Sequence, residues 1–136
     1  MGNDENINES VVPPLQESIL NTIKKMIGVE ENYKQFDIDL IVHINTAFAA
    51  LAQIGHNLKD GYFISDMNNI WSEYITDTRL LDPIKTYVYL KTKLVFDPPS
   101  SSMVIESMKQ TLKELEFRIQ ISAESIDKED KNVSVR

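Results

Sequence analysis

The stretch that decides the fold runs from Tyr87 to Glu116. It reads Tyr87-Val-Tyr-Leu-Lys-Thr-Lys-Leu-Val-Phe96, then Asp97-Pro98-Pro99-Ser100-Ser101-Ser102, then an amphipathic run through Leu115. Each proline lacks an N–H donor and disfavours helix in the residue before it. Two in succession mark a rigid corner between two helices rather than a soft linker, with Asp97, Pro98 and Pro99 as its residues. Upstream, Asp82-Pro83 suits a helix start, with aspartate as cap and proline at the first helical position. Downstream, Ser100 to Ser102 offers hydroxyl caps, and Ile105, Met108, Leu112, Leu115 and Ile119 recur at steps of three and four, the spacing of one helix face. Glu106 with Lys109, and Lys113 with Glu116, are placed to pair at three-residue spacing.

Working outward, residues 1–14 are polar and acidic, end in Pro13-Pro14, and read as a flexible arm. Leu15, Ile19, Ile23 and Met26 predict a first helix, which Gly28 stops. After a polar stretch from Val29 to Phe36, Asp37 is the expected N-cap of a second helix. Ile41, Ile44, Phe48 and Leu51 form one face of that helix, its alanines allow close approach of a neighbour, and Gly55 ends it. Tyr62, Phe63 and Ile64 form a short apolar run that suits either a small strand or a docking loop. Asp66 is expected to cap a short third helix carrying Trp71, Tyr74 and Ile75. Trp71 is read as a core anchor, because Leu80-Leu81 lies close by in sequence and aromatic burial contributes much to a small core. The other reading is an interface hot spot. After Ser122 the chain becomes charged. The expected fold is therefore all-α: a five-helix, bundle-like subunit over 15–122, with a possible strand or hairpin near 61–65, a flexible arm over 1–14 and a tail over 123–136.

Composition narrows the function. At 136 residues, 42% hydrophobic and 26% charged, the chain suits one ordinary globular core. It has no cysteine, which removes disulfides, thiolate metal sites and cysteine nucleophiles. No apolar run approaches the roughly 18 residues of a membrane span, and the polar start is not expected to act as a secretory signal. The net charge of −7 argues against tight binding of nucleic acid, which needs clustered Lys and Arg.

No arrangement of catalytic residues stands out. His43 flanks the face of the second helix, His56 follows in a loop, and neither belongs to a metal-binding spacing. Glu30/Glu31 and Asp37/Asp39 are read as solvated charges and a dipole-favoured helix start. Asp127, Glu129 and Asp130 lack the spacing and glycine of a calcium loop. The expectation is no enzyme, no metal and no cofactor.

Trp71-Ser-Glu-Tyr74, Leu80-Leu81, the run Tyr87 to Ser100 and Leu112-Lys-Glu-Leu-Glu-Phe-Arg118 together resemble the tailed-phage head–tail connector family, also called adaptor or head-completion proteins. The resemblance covers about Leu15 to Ile121. It implies an all-helical, non-enzymatic subunit of a virion, made in the host bacterial cytoplasm. It further implies a ring, dodecameric in that family, beneath the portal protein. That ring would continue the channel for double-stranded DNA, without specific binding, toward a stopper or other neck or tail protein. By the same resemblance the C-terminal segment would reach the portal, with Ile126, Val133, Val135 and Arg136 as contact candidates. The competing expectation is a small helical regulatory or scaffold protein that dimerises through its C-terminal helix.

Overall fold

A computed structural model describes residues 12–55 and 58–135. Among these, four α-helices carry the architecture: α1 (Ile19–Ile27), α2 (Asp37–Ala52), α3 (Leu81–Phe96) and α4 (Ser102–Val135). Three single 3-10 turns accompany them: Pro14–Gln16 precedes α1, and Trp71–Glu73 and Thr78–Leu80 lie between α2 and α3. The all-α class holds, and the count is four helices rather than five.

The core follows from the apolar spacing. Ile19, Leu20 and Ile23 of α1 meet Leu40, Ile44, Phe48 and Leu51 of α2 and Ile84, Tyr87 and Val88 of α3, all essentially excluded from solvent. Burying one such side chain contributes about 1.5–3 kcal/mol. The central helix is α3, which packs on α1, α2 and α4. Leu112, Leu115 and Ile119 bring α4 onto it, so the stripe read from the sequence is the face that packs.

Several helix ends differ from expectation, each for a local reason. α1 starts at Ile19, not Leu15, because the Ser18 hydroxyl accepts a hydrogen bond from the Asn21 amide at 3.2 Å and caps the helix there. Its other end is the expected one. Gly28, at φ 97°, donates to the Lys24 and Lys25 carbonyls, and the Val29 amide also bonds Lys24 at 2.8 Å. A left-handed residue at this position favours glycine. Asp37 does not cap α2: Phe36 occupies that place without a side-chain bond, and the Asp37 carboxylate binds Lys24 instead. Ahead of α3 the side-chain cap is Asp77, which accepts from the Arg79 amide at 2.9 Å. Asp82 and Pro83 fall within the first turn of α3.

The expected third helix is replaced by side-chain-directed turns. Asp66 accepts from the Asn68 amide at 2.8 Å, and Asn69 Oδ1 accepts from the Ser65 and Asp66 amides. Asn and Asp that bind nearby backbone in this way compete with helix. Only one 3-10 turn, Trp71–Glu73, remains. The strand near 61–65 is also absent; among the described residues the sole β-pairing is an isolated bridge between Ser18 and Ile70. The reason lies in Asn45 of α2. Its amide donates to the Ile64 carbonyl at 3.0 Å, and its Oδ1 accepts from the Ile64 amide at 2.8 Å. A side chain thus satisfies both backbone groups that a strand partner would have satisfied.

The segment read as a tail from residue 123 continues as helix. α4 runs to Val135, about 50 Å at 1.5 Å per residue. Ala123 is buried, and a β-carbon built on Gly55 would lie 3.6 Å from its methyl group. Residues 1–11 of the expected arm, together with His56 and Arg136, lie outside the described residues.

Candidate interaction surfaces

The corner is built as its sequence requires. α3 ends at Phe96, and Asp97 leaves helical geometry at φ −149°, ψ 68° while its amide still closes the last turn on Lys93. Lys93 Nζ binds the Asp97 carboxylate at 2.7 Å. After the two prolines, Ser101 Oγ accepts from the Val104 amide at 3.4 Å, so one of the expected serine hydroxyls caps α4. The return is antiparallel: Tyr87 donates to Glu116 at 3.4 Å, and Arg79, further back along the chain, reaches Glu129 at 3.0 Å, further forward. A short connection between antiparallel helices is the usual hairpin arrangement.

Behind the corner lies an unexpected fastening. Lys24 is fully buried, and its ammonium donates to the Glu31 carbonyl at 3.0 Å, the Tyr33 carbonyl at 2.6 Å and the Asp37 carboxylate at 2.8 Å. Three donors meet three acceptors, which is the condition for tolerating a buried ammonium. The polar loop 29–36 is thereby bound to α1. Phe36 of that loop packs edge-on against Phe96, ring centroids 5.2 Å apart, so the loop also supports the end of α3. Periodicity gave no hint of this role. The available signal was a lysine on the core side of α1, in line with Leu20 and Ile27.

Trp71 sits in the core, with no solvent exposure. Its indole N–H donates to Thr22 Oγ1 at 3.2 Å, and Phe48 lies 6.3 Å from it, centroid to centroid, in an edge-to-face arrangement. Phe48, Tyr62 and Tyr74 form a compact aromatic group beside it. This divides the candidate docking loop. Tyr62 packs inward and donates to the Glu73 carboxylate at 2.9 Å, Ile64 is buried, and Phe63 is left 64% exposed. Burial, reinforced by Glu73, pushes the Tyr62 hydroxyl pKa up. Hydrogen bonds from Asn69 and Tyr62 hold the Glu73 carboxyl below its usual range.

The distal part of α4 is attached differently. Ile126 packs partly against the core and borders a groove with Leu58, Ile75 and Leu80. Arg79 joins Asp77 and Glu129, at 2.7 and 3.0 Å. Its hydrogen bonds lower both carboxyl pKa values. Val133 and Val135 fall in the final turn of α4, and their side chains lie outside the described residues. Of the four contact candidates, the structure places only the Ile126 side chain.

Two outer faces remain apolar. On α2, Ile38 is 78% and Val42 56% exposed; on α4, Phe117 is 66% exposed with Ile121 beside it. No group of three or more His, Cys, Asp or Glu among the described residues is arranged to hold a metal. His43 lies half-buried on α2. No helix among the described residues is long and apolar enough to cross a membrane.

These features define a helical structural subunit whose polar groups hold chain segments to one another and whose outer faces are left apolar. The family model described as phage connector protein matches residues 19–126, close to the Leu15–Ile121 range over which the resemblance was drawn. The chain belongs to that family of phage head–tail connectors, a structural rather than enzymatic family of the virion. No curated protein and no solved structure matches the chain.

Proposed function

We propose that the protein forms a ring beneath the portal, extends the DNA channel and docks the next neck or tail component. The observation that carries this reading is the family match across the whole helical body, 19–126. The two apolar outer faces support it, because a subunit buried between neighbours needs surfaces that water does not favour. Portal contact is assigned to Val133 and Val135 at the end of α4 and to Arg136 after them. Ile126 is less suited to that contact, since it already packs on its own subunit's core. The exposed face of the 61–65 loop, centred on Phe63, is assigned to a second neighbour. The net charge of −7, repeated around an axis, would present DNA with a wall that repels it.

Negative-stain microscopy of the purified protein, alone and mixed with its portal, tests the assignment. A ring seated on the portal is the expected result. A constant dimer by light scattering, with no ring in either sample, would favour the regulatory or scaffold reading, for which the exposed strip on α4 is the supporting feature. An electrostatic map of an assembled ring with a basic bore would remove the repulsive-wall argument alone.

A further inference from the structure

We propose that successive copies of this chain join head to tail, the outer strip of α2 on one copy seating against the outer strip of α4 on the next. The proposal rests on the ring reading above and names its side-to-side contact.

The argument begins with helix periodicity. At 100° per residue, Ile38, Val42 and Ala49 project from the side of α2 directly opposite Leu40, Ile44 and Leu51, which face the core. A surface helix ordinarily carries polar residues there; a helix apolar on both sides is one buried on both sides. The same construction recurs on α4, where Phe117 and Ile121 lie opposite Leu112, Leu115 and Ile119. Single exposed apolar residues need no explanation, but paired strips on two helices of a small acidic protein do.

Their placement selects the occupant. α2 and α4 each pack on α3 and touch one another little. The strips thus lie on two separate helices, and neither covers the other within one subunit. A two-fold contact between like strips would cover only one of them. A head-to-tail contact covers both, with no further copy of any motif.

Charge points the same way. Asp39 borders the strip on α2. Lys113, Arg118 and Lys128 border the strip on α4, with Glu114 and Glu124 among them, so its border is net positive by one charge. Seating unlike strips together brings Asp39 toward Lys113 or Arg118. Seating like strips together opposes Asp39 to Asp39, or the cations to their own copies, which is unfavourable.

The absence of cysteine makes the test direct. Val42→Cys and Ile121→Cys are made singly and together, both at exposed positions. Each variant is oxidised as purified protein and again in the presence of portal. The double variant is expected to give a ladder of covalent multimers, and each single variant only monomer. Self-cross-linking of either single variant would overturn the proposal in favour of a symmetric pair. Rings in micrographs without any cross-link would overturn the strip assignment and leave the ring reading standing. Neither rings nor cross-links would overturn both. Val42→Asp adds an independent check: an unchanged thermal melt with lost assembly is expected, and full assembly of that folded variant would also overturn the proposal.

Discussion

Residues 19–96 and the distal turns of α4 are both helical, but they are held in different ways. In the first region the restraints that join distant segments include buried or partly buried ones: the Lys24 ammonium with its three acceptors, Trp71 on Thr22, Asn45 against the Ile64 backbone, and aromatic packing around Phe48. In the second, beyond Ala123, the restraints include a half-buried isoleucine, a solvent-facing arginine between two carboxylates and a surface ion pair of Lys131 with Asp127. Buried hydrogen bonds act in a low dielectric and are costly to break, whereas exposed ion pairs contribute little and are screened by salt. The body of the subunit is thus fixed by its own core, while the end of α4 is positioned but lightly held. A connector benefits from that division, because a lightly held end can adjust to a partner without disturbing the fold.

The largest test of the contrast is Lys24→Ala. Removing one partner of a buried charged cluster strands the others, so a loss of about 3–5 kcal/mol is expected in urea unfolding. A loss below about 1 kcal/mol, the range of exposed pairs, would mean water replaces the ammonium and the body is less dry than described. Next in size is a matched pair of truncations. Ile119→Ala removes a fully buried side chain and should cost about 2–5 kcal/mol, with Ile126→Ala costing less than half as much. Equal losses would erase the distinction between the two regions.

A pH titration sharpens the same comparison. Arg79 holds the Asp77 and Glu129 carboxyl pKa values down in the folded chain. Groups with depressed folded pKa values contribute stability above their unfolded values and lose it as pH falls through the folded ones. Acidification below the ordinary carboxylate range should therefore reduce amide protection at residues 124–132 before it affects α1 to α3. Arg79→Gln should reduce that protection already at neutral pH and flatten its pH dependence. Uniform loss across the chain would show that Arg79 is not a local fastening. The smallest expected effect on stability is that of Pro98→Ala with Pro99→Ala, within about 1 kcal/mol by circular dichroism melts. Assembly should suffer far more, because α3 is then free to extend and α4 to leave at another angle. Normal rings from that double variant would make the corner dispensable.

Local chemistry made much of this legible beforehand. Two prolines after Phe96 can only end a helix, Gly28 can only end one cheaply, and a stripe at steps of three and four on α4 can only be a buried face. The errors share a cause. The residues at 62–64 and 66–75 by themselves suit a strand and a helix, yet Asn45 from another helix satisfies the Ile64 backbone, and the side chains of Asp66 and Asn69 bind amides of 65–68. An asparagine inside a helical pattern was the one available warning, since it is a poor helix former unless it binds elsewhere. The charged segment after Ser122 looked like a tail because it has few apolar residues. It is helical because Ala123, Ile126 and Glu129 recur along the side that meets Gly55, the core and Arg79.

The amino-acid order by itself determined the helical class, the corner, the packing stripes of α2 and α4, and the family. Each of these depends on neighbours in the chain: a missing N–H, a left-handed glycine, a repeat of 3.6. Only the tertiary structure decided that Lys24 would be buried and that Asn45 would stand in for a strand. Those outcomes depend on which polar groups meet across tens of residues, and water as an alternative partner is removed only when the chain closes on itself.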